Sequence, residues 1–401
     1  MKKNILISVY DMEIGGIERS LINMLEAFDY EQYNVDLLVF EHRGDFMKLI
    51  PDQVNLLPQI YAYTVFRKPI TQCLNEGHYA SSIVRIVAKY AAIQKAKARK
   101  LEEGSGYIQM QLVSKYSSLL VPKLKKNYDV SISYAWPHDL IADRISAKRK
   151  IAWIHTDYSK LEIDNQIDLE MWNKFDYIAA VSEECCNSFL LTYPSLKNKV
   201  FILENITSPA FITSMANEAV AFNKMPGESF SVLSVGRLSY VKGFDLAVKA
   251  LRLLHDKGFT NIRWYVVGYG GYEQELKNLI ISYQLEDSFI LLGKQANPYP
   301  YIKACDLYVQ PSRYEGKAVT VTEAKILNRP IIITNYPTSA SQVTHGKDGI
   351  ICGSNPEAIA DAIKDLFIDS DLRNLLVKNT KKENYSNNDE IEKLYEIIKS
   401  Q

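Results

Sequence analysis

The 401-residue chain has no net charge, because 47 Lys and Arg balance 47 Asp and Glu. That balance argues against a nucleic-acid binder acting through global positive charge and leaves only local patches for recognising anions. Cysteine is scarce: there are five, an odd number that includes the adjacent pair Cys185-Cys186. With no Cys-x-x-Cys spacing and no neighbouring His, neither a disulfide framework nor a zinc site is indicated, and a reducing cytoplasm is the expected compartment. No segment approaches the roughly 18 uninterrupted apolar residues of a membrane span, so any membrane attachment is expected to be peripheral. The start, Met1-Lys2-Lys3, resembles a signal-peptide n-region, but the apolar run 5–10 meets Asp11 before an h-region of adequate length forms. It reads instead as a first buried strand.

What is present is enough apolar material, 47% of residues, for two ordinary cores. Short β-branched runs alternate with longer helical patterns, the signature of strand-helix-strand units around a parallel sheet. The strands expected in the first half are 5–9, 35–40, 130–134, 151–154, 177–181 and 200–203. Those expected in the second half are 231–235, 262–267, 289–292, 307–310 and 331–334. Between the halves, 205–227 carries Pro209, Pro226, Gly227 and little periodicity, which reads as an interdomain crossing. The expected division is 1–208, 209–385 and a terminal amphipathic helix within 386–401 that packs back on the first domain.

One stretch departs from the alternation. Residues 62–127 are helical in pattern and carry twelve Lys and Arg against three Glu (Glu76, Glu102, Glu103), an excess of nine positive charges. Ile83, Val84, Ile86, Val87, Tyr90 and Ile93 give one apolar helical face, with Arg85, Lys89 and the later lysines largely off it. The segment is either a solvated helical insertion packed on the domain or a surface attracted to anionic lipid or a polyanionic acceptor.

Two segments carry chemistry. In Ser312-Arg313-Tyr314-Glu315-Gly316-Lys317-Ala318-Val319-Thr320-Val321-Thr322-Glu323-Ala324, two glutamates with seven residues between them bracket the passage from a buried strand into a helix. A helix start favours phosphate through its unpaired N–H groups, and nearby carboxylates accept bonds from sugar hydroxyls. In Ser234-Val235-Gly236-Arg237-Leu238-Ser239-Tyr240-Val241-Lys242-Gly243, an Arg and a Lys close another strand. Arg can grip two phosphate oxygens at once and Lys adds a mobile point charge, so the pair suits a diphosphate. Together the two segments look like a nucleotide-sugar site.

The glutamate pair, followed by Ala324-Lys325-Ile326-Leu327-Asn328-Arg329-Pro330-Ile331, resembles retaining glycosyltransferases of family 4. The likeness also covers the early Gly15-Gly16 loop, His155 after a strand, Gly236-Arg237 and Lys242-Gly243, all in family order. The resemblance implies an α/β GT-B fold: two Rossmann-like parallel-sheet domains facing across a cleft, acceptor domain first and donor domain second. It implies that Arg237 and Lys242 bind the pyrophosphate, that Glu315 and His155 meet the donor sugar, and that Glu323 binds the ribose. Gly15, Gly16, Gly236 and Gly268 would let backbone approach the donor, and the amides of Gly316, Lys317 and Ala318 would meet the distal phosphate. Where many relatives carry a bulky apolar residue and a proline, this chain has Lys317 and Val319.

The reaction so implied is sugar transfer with retention, without a metal ion or other cofactor. The donor is expected to be UDP-linked and the acceptor a cell-envelope glycan or lipid-linked hydroxyl. The partners expected are thus the nucleoside-diphosphate sugar, the glycan or lipid-linked acceptor and, on the second of the two readings of 62–127, anionic membrane; no nucleic acid is involved. Alternatives on the same fold are a sugar phosphorylase, a nucleotide-sugar epimerase or a non-catalytic nucleotide-sugar-binding partner subunit. Gly268-Tyr269-Gly270-Gly271-Tyr272-Glu273 fails as a dinucleotide fingerprint because Glu273 stands at the last glycine position; it reads as a loop near the base. Asp369-Ser370-Asp371 matches a metal-binding triplet but reads as a helix cap.

Overall fold

The structure, a computed structural model, describes residues 2–101, 104–158, 161–218, 229–315, 318–387 and 389–399. The chain divides into two compact units, Met1–Thr207 with Asn387–Gln401, and Ser208–Ser386.

The first unit is built on seven strands: β1 (Lys3–Val9), β2 (Tyr33–Val39), β3 (Asn55–Leu56), β4 (Asn127–Ser133), β5 (Ser146–Ile154), β6 (Tyr177–Ala180) and β7 (Val200–Ile202). They pair in parallel in the order β3-β2-β1-β4-β5-β6-β7. The second unit has six: β8 (Phe230–Val235), β9 (Ile262–Val267), β10 (Phe289–Gly293), β11 (Leu307–Gln310), β12 (Ile331–Thr334) and β13 (Ile350–Cys352). These are also parallel, in the order β10-β9-β8-β11-β12-β13. Central strands covered on both faces must be apolar throughout, as Ile5-Leu6-Ile7 and Ile331-Ile332-Ile333 are, every one of them fully buried.

In each sheet the strand order reverses once, between β1 and β4 and between β8 and β11. Loops leaving the carboxyl ends of such a pair diverge and open a crevice, the usual ligand position in open α/β sheets. The Gly15-Gly16 loop follows β1. Both chemistry-bearing segments of the second unit follow β8 and β11, on either side of its reversal.

Helix Phe244–Asp256 buries Phe244, Ala247, Val248, Leu251 and Leu254 against Val232, Trp264 and Val266 of the second sheet. The core of the first unit is more aromatic, with Tyr10, Phe40, Tyr63, Trp172 and Phe189 in one cluster. Helix Asp389–Lys399 belongs to the first unit, where Tyr395 stacks on Tyr33 with ring centroids 4.8 Å apart. Arg149 and Lys3 donate to its last carbonyls, Ile397 and Ile398, each at 2.6 Å, placing cations where the helix dipole favours them. The expected crossing at 205–227 holds more structure than its composition suggests. Pro209–Met215 is a helix with Pro at its first position, and the Ser208 hydroxyl caps it by accepting from Phe211 N. Residues 219–228 of that stretch lie outside the described residues.

The insertion turns its apolar face outward. Helix Tyr79–Arg99 does not pack through its apolar face: Tyr79, Ile83, Ile86, Val87 and Tyr90 are exposed. Its buried side is Ser81, Ser82, Arg85, Ala88, Ala92 and Ala96. Ala88 and Ala92 lie on Ile108, Leu112 and Val113, of which all three belong to helix Gly106–Ser118, and Arg85 donates to the carbonyls of Val65 and Phe66 at 2.6–3.2 Å. The excess of positive charge is answered in part by four acids outside the segment. Arg67 pairs with Asp11, Lys95 and Arg99 with Asp164, Lys115 with Glu170 and Lys126 with Asp36. Among the described residues, Lys89, Lys97, Lys100, Lys123 and Lys125 have no ion-pair partner.

Candidate nucleotide-sugar site

The loop after β8 turns at Tyr240–Lys242 and enters helix Phe244–Asp256 through Gly243, which has φ +67°. A Cβ on Gly243 would stand 1.9 Å from the Pro311 carbonyl oxygen, so only glycine lets this loop lie against the exit of β11. Arg313 fastens the two loops together. Its amide donates to Val241 O at 2.8 Å, its guanidinium to Tyr240 O at 2.7 Å and to both oxygens of Asp245 at 2.7 and 2.6 Å. The same guanidinium lies over the Tyr240 ring, 3.9 Å from its centroid.

That fastening brings Lys242 to Glu315: Nζ donates to Oε1 at 2.6 Å across 73 residues of sequence. Ser312 Oγ and Gln310 Nε2 donate to the same oxygen at 2.6 and 3.0 Å. Glu315 is only 8% exposed, and three donors on one oxygen fix its carboxyl while its other oxygen accepts no bond from the described residues. Arg237, on the same loop, is exposed and has no side-chain partner among the described residues. The result is a neutral Lys–Glu pair beside one unanswered cation, at the reversal point of the sheet.

Helix Val319–Ile326 follows Ala318. Its β-branched start is a poor helix former, and the turn holds because Val321 and Ala324 are buried. The Ala318 amide, expected at a phosphate, donates instead to the Gln342 side-chain oxygen at 2.9 Å. A neutral acceptor already occupies that donor. Gly316 and Lys317 lie outside the described residues. Glu323 is the fifth residue of the helix and fully buried, and Tyr299 OH donates to its Oε1 at 3.0 Å. Gly268 serves packing: a Cβ there would stand 1.8 Å from Gly236 O, so the loops after β8 and β9 touch only because the position is glycine. Asp369 caps helix Ser370–Thr380, accepting from Leu372 N at 2.8 Å.

In the first unit Gly15 is the N-cap of helix Gly16–Glu26, the element opened by the loop after β1. His155 follows β5, its ring 4.9 Å from that of Tyr134 and its Nε2 2.8 Å from the Tyr134 carbonyl oxygen. A carbonyl only accepts, so Nε2 carries the hydrogen and Nδ1 is left as an acceptor. Burial pushes the imidazole down to about 4, against the small opposing pull of that carbonyl, so the ring is neutral at pH 7. The sequence reading missed the supports Gln310, Ser312, Arg313 and Asp245. The Ser312-x-x-Glu315 spacing was a local signal; the bond from Arg313 to Asp245, 68 residues apart, had none.

Two parallel-sheet Rossmann-like units define the GT-B class, and solved structures share this fold. Anabaena HepE in complex with UDP and glucose is 17% identical, covers 100% of both chains and has a TM-score of 0.67. S. aureus TarM, in complex with Fondaparinux, alpha-GlcNAc-glycerol and UDP, is 15% identical over 99% of this chain and 100% of its own, with a TM-score of 0.66. Residues 216–383, which fall within the second unit, match the family described as glycosyl transferases group 1.

Among curated relatives, an uncharacterized glycosyltransferase of Methanocaldococcus jannaschii is 29% identical over 38% of this chain and 37% of its own length. The capsular polysaccharide biosynthesis glycosyltransferase of Staphylococcus aureus is 24% identical over 51% of this chain and 56% of its own. The N-acetylgalactosamine-N,N'-diacetylbacillosaminyl-diphospho-undecaprenol 4-alpha-N-acetylgalactosaminyltransferase of Campylobacter jejuni is 26% identical over 51% and 54%. The chain thus spans between about a third and a little over half of the length of the curated relatives it matches.

Proposed function

We propose that the chain is a retaining, metal-independent glycosyltransferase that moves a sugar from a nucleoside diphosphate, UDP-linked, to a hydroxyl of a cell-envelope glycan or lipid-linked acceptor. The observation that carries this reading is the 2.6 Å contact of Lys242 with Glu315 at the strand reversal, with exposed Arg237 on the same loop. The family match of the second unit and the capsule and undecaprenol-linked relatives support it.

The costly event is departure of a charged diphosphate. Lys242, held by Glu315, and Arg237 are cations placed where that charge develops, the role a metal ion fills elsewhere. Glu315 keeps one oxygen for a donor-sugar hydroxyl, and the neutral His155 ring offers Nδ1 as an acceptor. The bond from the anomeric carbon to phosphate oxygen breaks while the acceptor oxygen bonds to that carbon on the same face. The acceptor proton goes to the leaving phosphate oxygen, so no covalent enzyme intermediate is needed. Incubating the full chain with UDP-sugars, a glycan acceptor and EDTA, and reading the product by NMR, should give the donor's anomeric configuration. An inverted product, or none without added metal, would contradict the mechanism.

The reading includes work at the cytoplasmic face of a membrane. No helix among the described residues is long and apolar enough to cross one. Support for peripheral contact is the exposed stripe Tyr79, Ile83, Ile86, Val87 and Tyr90, bordered by Lys89 and Lys97. Vesicles rich in anionic lipid should pellet the protein, and Ile83→Asp with Val87→Asp should leave it in the supernatant. Equal pelleting of both proteins would remove the stripe from the account.

A further inference from the structure

The first unit contains a cavity of about 240 Å³ at the carboxyl ends of β4 and β5, closed by helices Gly106–Ser118 and Asn165–Trp172. Three of the chain's four tryptophans, Trp136, Trp153 and Trp172, line it together with Tyr158. Among these aromatic walls stand polar groups, of which Asp139 and His138 have no part in the account of donor chemistry. Asp139 is 6% exposed; its Oδ2 accepts from Ser114 Oγ at 2.5 Å, and its Oδ1 accepts from no described residue. His138 is 8% exposed, with Nδ1 2.8 Å from Ser133 Oγ and no described partner for Nε2. His155, also in the wall, has Nδ1 open. Asp168 is different: Gln111, Trp172 and Tyr193 all donate to it, and it is structural.

An alkyl or isoprenoid chain in this space would leave a buried carboxylate oxygen of Asp139 and the Nε2 of His138 without partners, each at the cost of its lost hydration. A pyranose ring fits both halves of the lining. Its C–H faces lie against the aromatic rings, and its hydroxyls reach the open acceptor and donor atoms at the edge. An apolar cavity of about 150 Å³ holds a benzene ring, so this one takes a single hexose ring rather than several. We propose that the cavity is the subsite for one pyranose ring of the acceptor, with Asp139 accepting one of its hydroxyls. The proposal rests on the glycosyltransferase reading for the word acceptor, but ring binding is measurable without any donor.

The experiment is a titration of the full chain with methyl glycosides of common hexoses and N-acetylhexosamines, followed by tryptophan emission, with UDP binding followed separately by calorimetry. One glycoside should change the emission saturably. Asp139→Asn should weaken it at least tenfold while leaving UDP affinity unchanged. Tyr107, which lines the cavity and is 40% exposed, provides a variant that does not depend on a buried charge. Tyr107→Ala should weaken the same glycoside about fivefold or more. If no glycoside alters the emission, or a short-chain prenyl phosphate does so instead, the assignment is overturned. Loss of UDP binding by the unaltered protein would instead strike at the glycosyltransferase reading and leave ring binding standing.

Discussion

Helices Phe244–Asp256 and Tyr79–Arg99 both carry an apolar stripe at helical spacing, yet the first turns it to the core and the second to solvent. The first meets a sheet face of Val232, Trp264 and Val266, which only apolar side chains complement. The second meets the end of the turn Tyr61–Phe66, whose carbonyls need donors, and a neighbouring helix close enough to accept only alanine. Arg85 and the Ala88-Ala92 pair answer those demands, so the larger apolar residues are left outside. Periodicity therefore reports that a stripe exists; the neighbouring surface decides which face is inside.

The comparison is sharpened first by truncating each stripe. Leu254→Ala should lower unfolding free energy by about 2–5 kcal/mol in urea titration, because it empties a filled core. Arg85→Met should follow: stripping the donors from two buried carbonyls costs about 1–3 kcal/mol for each acceptor left alone. If Arg85→Met were neutral, the polar face would not be what holds the insertion helix. Ile83→Ala should move stability by less than about 0.5 kcal/mol, as for any surface position. A cost comparable to Leu254→Ala would mean that the stripe is covered by part of the protein itself.

Acidity probes the first unit on an intermediate scale. Burial pushes His138 down to about 3, helped by the charge of His155, and His155 down to about 4. Between pH 6.5 and 4 the unfolded chain binds protons at both rings and the folded chain does not, so stability falls as pH falls. Asp139 works the other way: burial raises it to about 6 against the pull of the Ser114 hydroxyl, so the folded form holds a proton that the unfolded form has lost. Asp139→Asn removes that opposing contribution and should steepen the fall by about 1.4 kcal/mol per pH unit. Thermal melts across that range would show it, and a shallower slope in the variant would have the wrong sign.

The α/β class was legible because buried parallel strands must be apolar without interruption. Eleven expected strands fall at β1, β2, β4 to β12. The two strands unforeseen, β3 with two residues and β13 with three, are too short to carry any period. Within the site, residue types were readable from the loops they occupy, but their partners were not. Lys242 and Glu315, like Arg313 and Asp245, meet only because the strand order reverses between β8 and β11, and nothing local encodes that. Gly268 illustrates the converse. It suggested backbone closeness to a ligand, whereas the neighbour that demands it is Gly236. The cavity draws on residues spread from helix Gly106–Ser118 to helix Asn165–Trp172, of which only His155 stood out in the sequence.

The central claim is that cations on the β8 loop carry the charge of a departing diphosphate. It is tested most directly by turnover of Arg237→Ala with a UDP-sugar and acceptor at saturating donor, alongside a melting curve. The account predicts a fall of about 10²–10³ in kcat with the melting temperature unchanged. Full activity in that variant would contradict it.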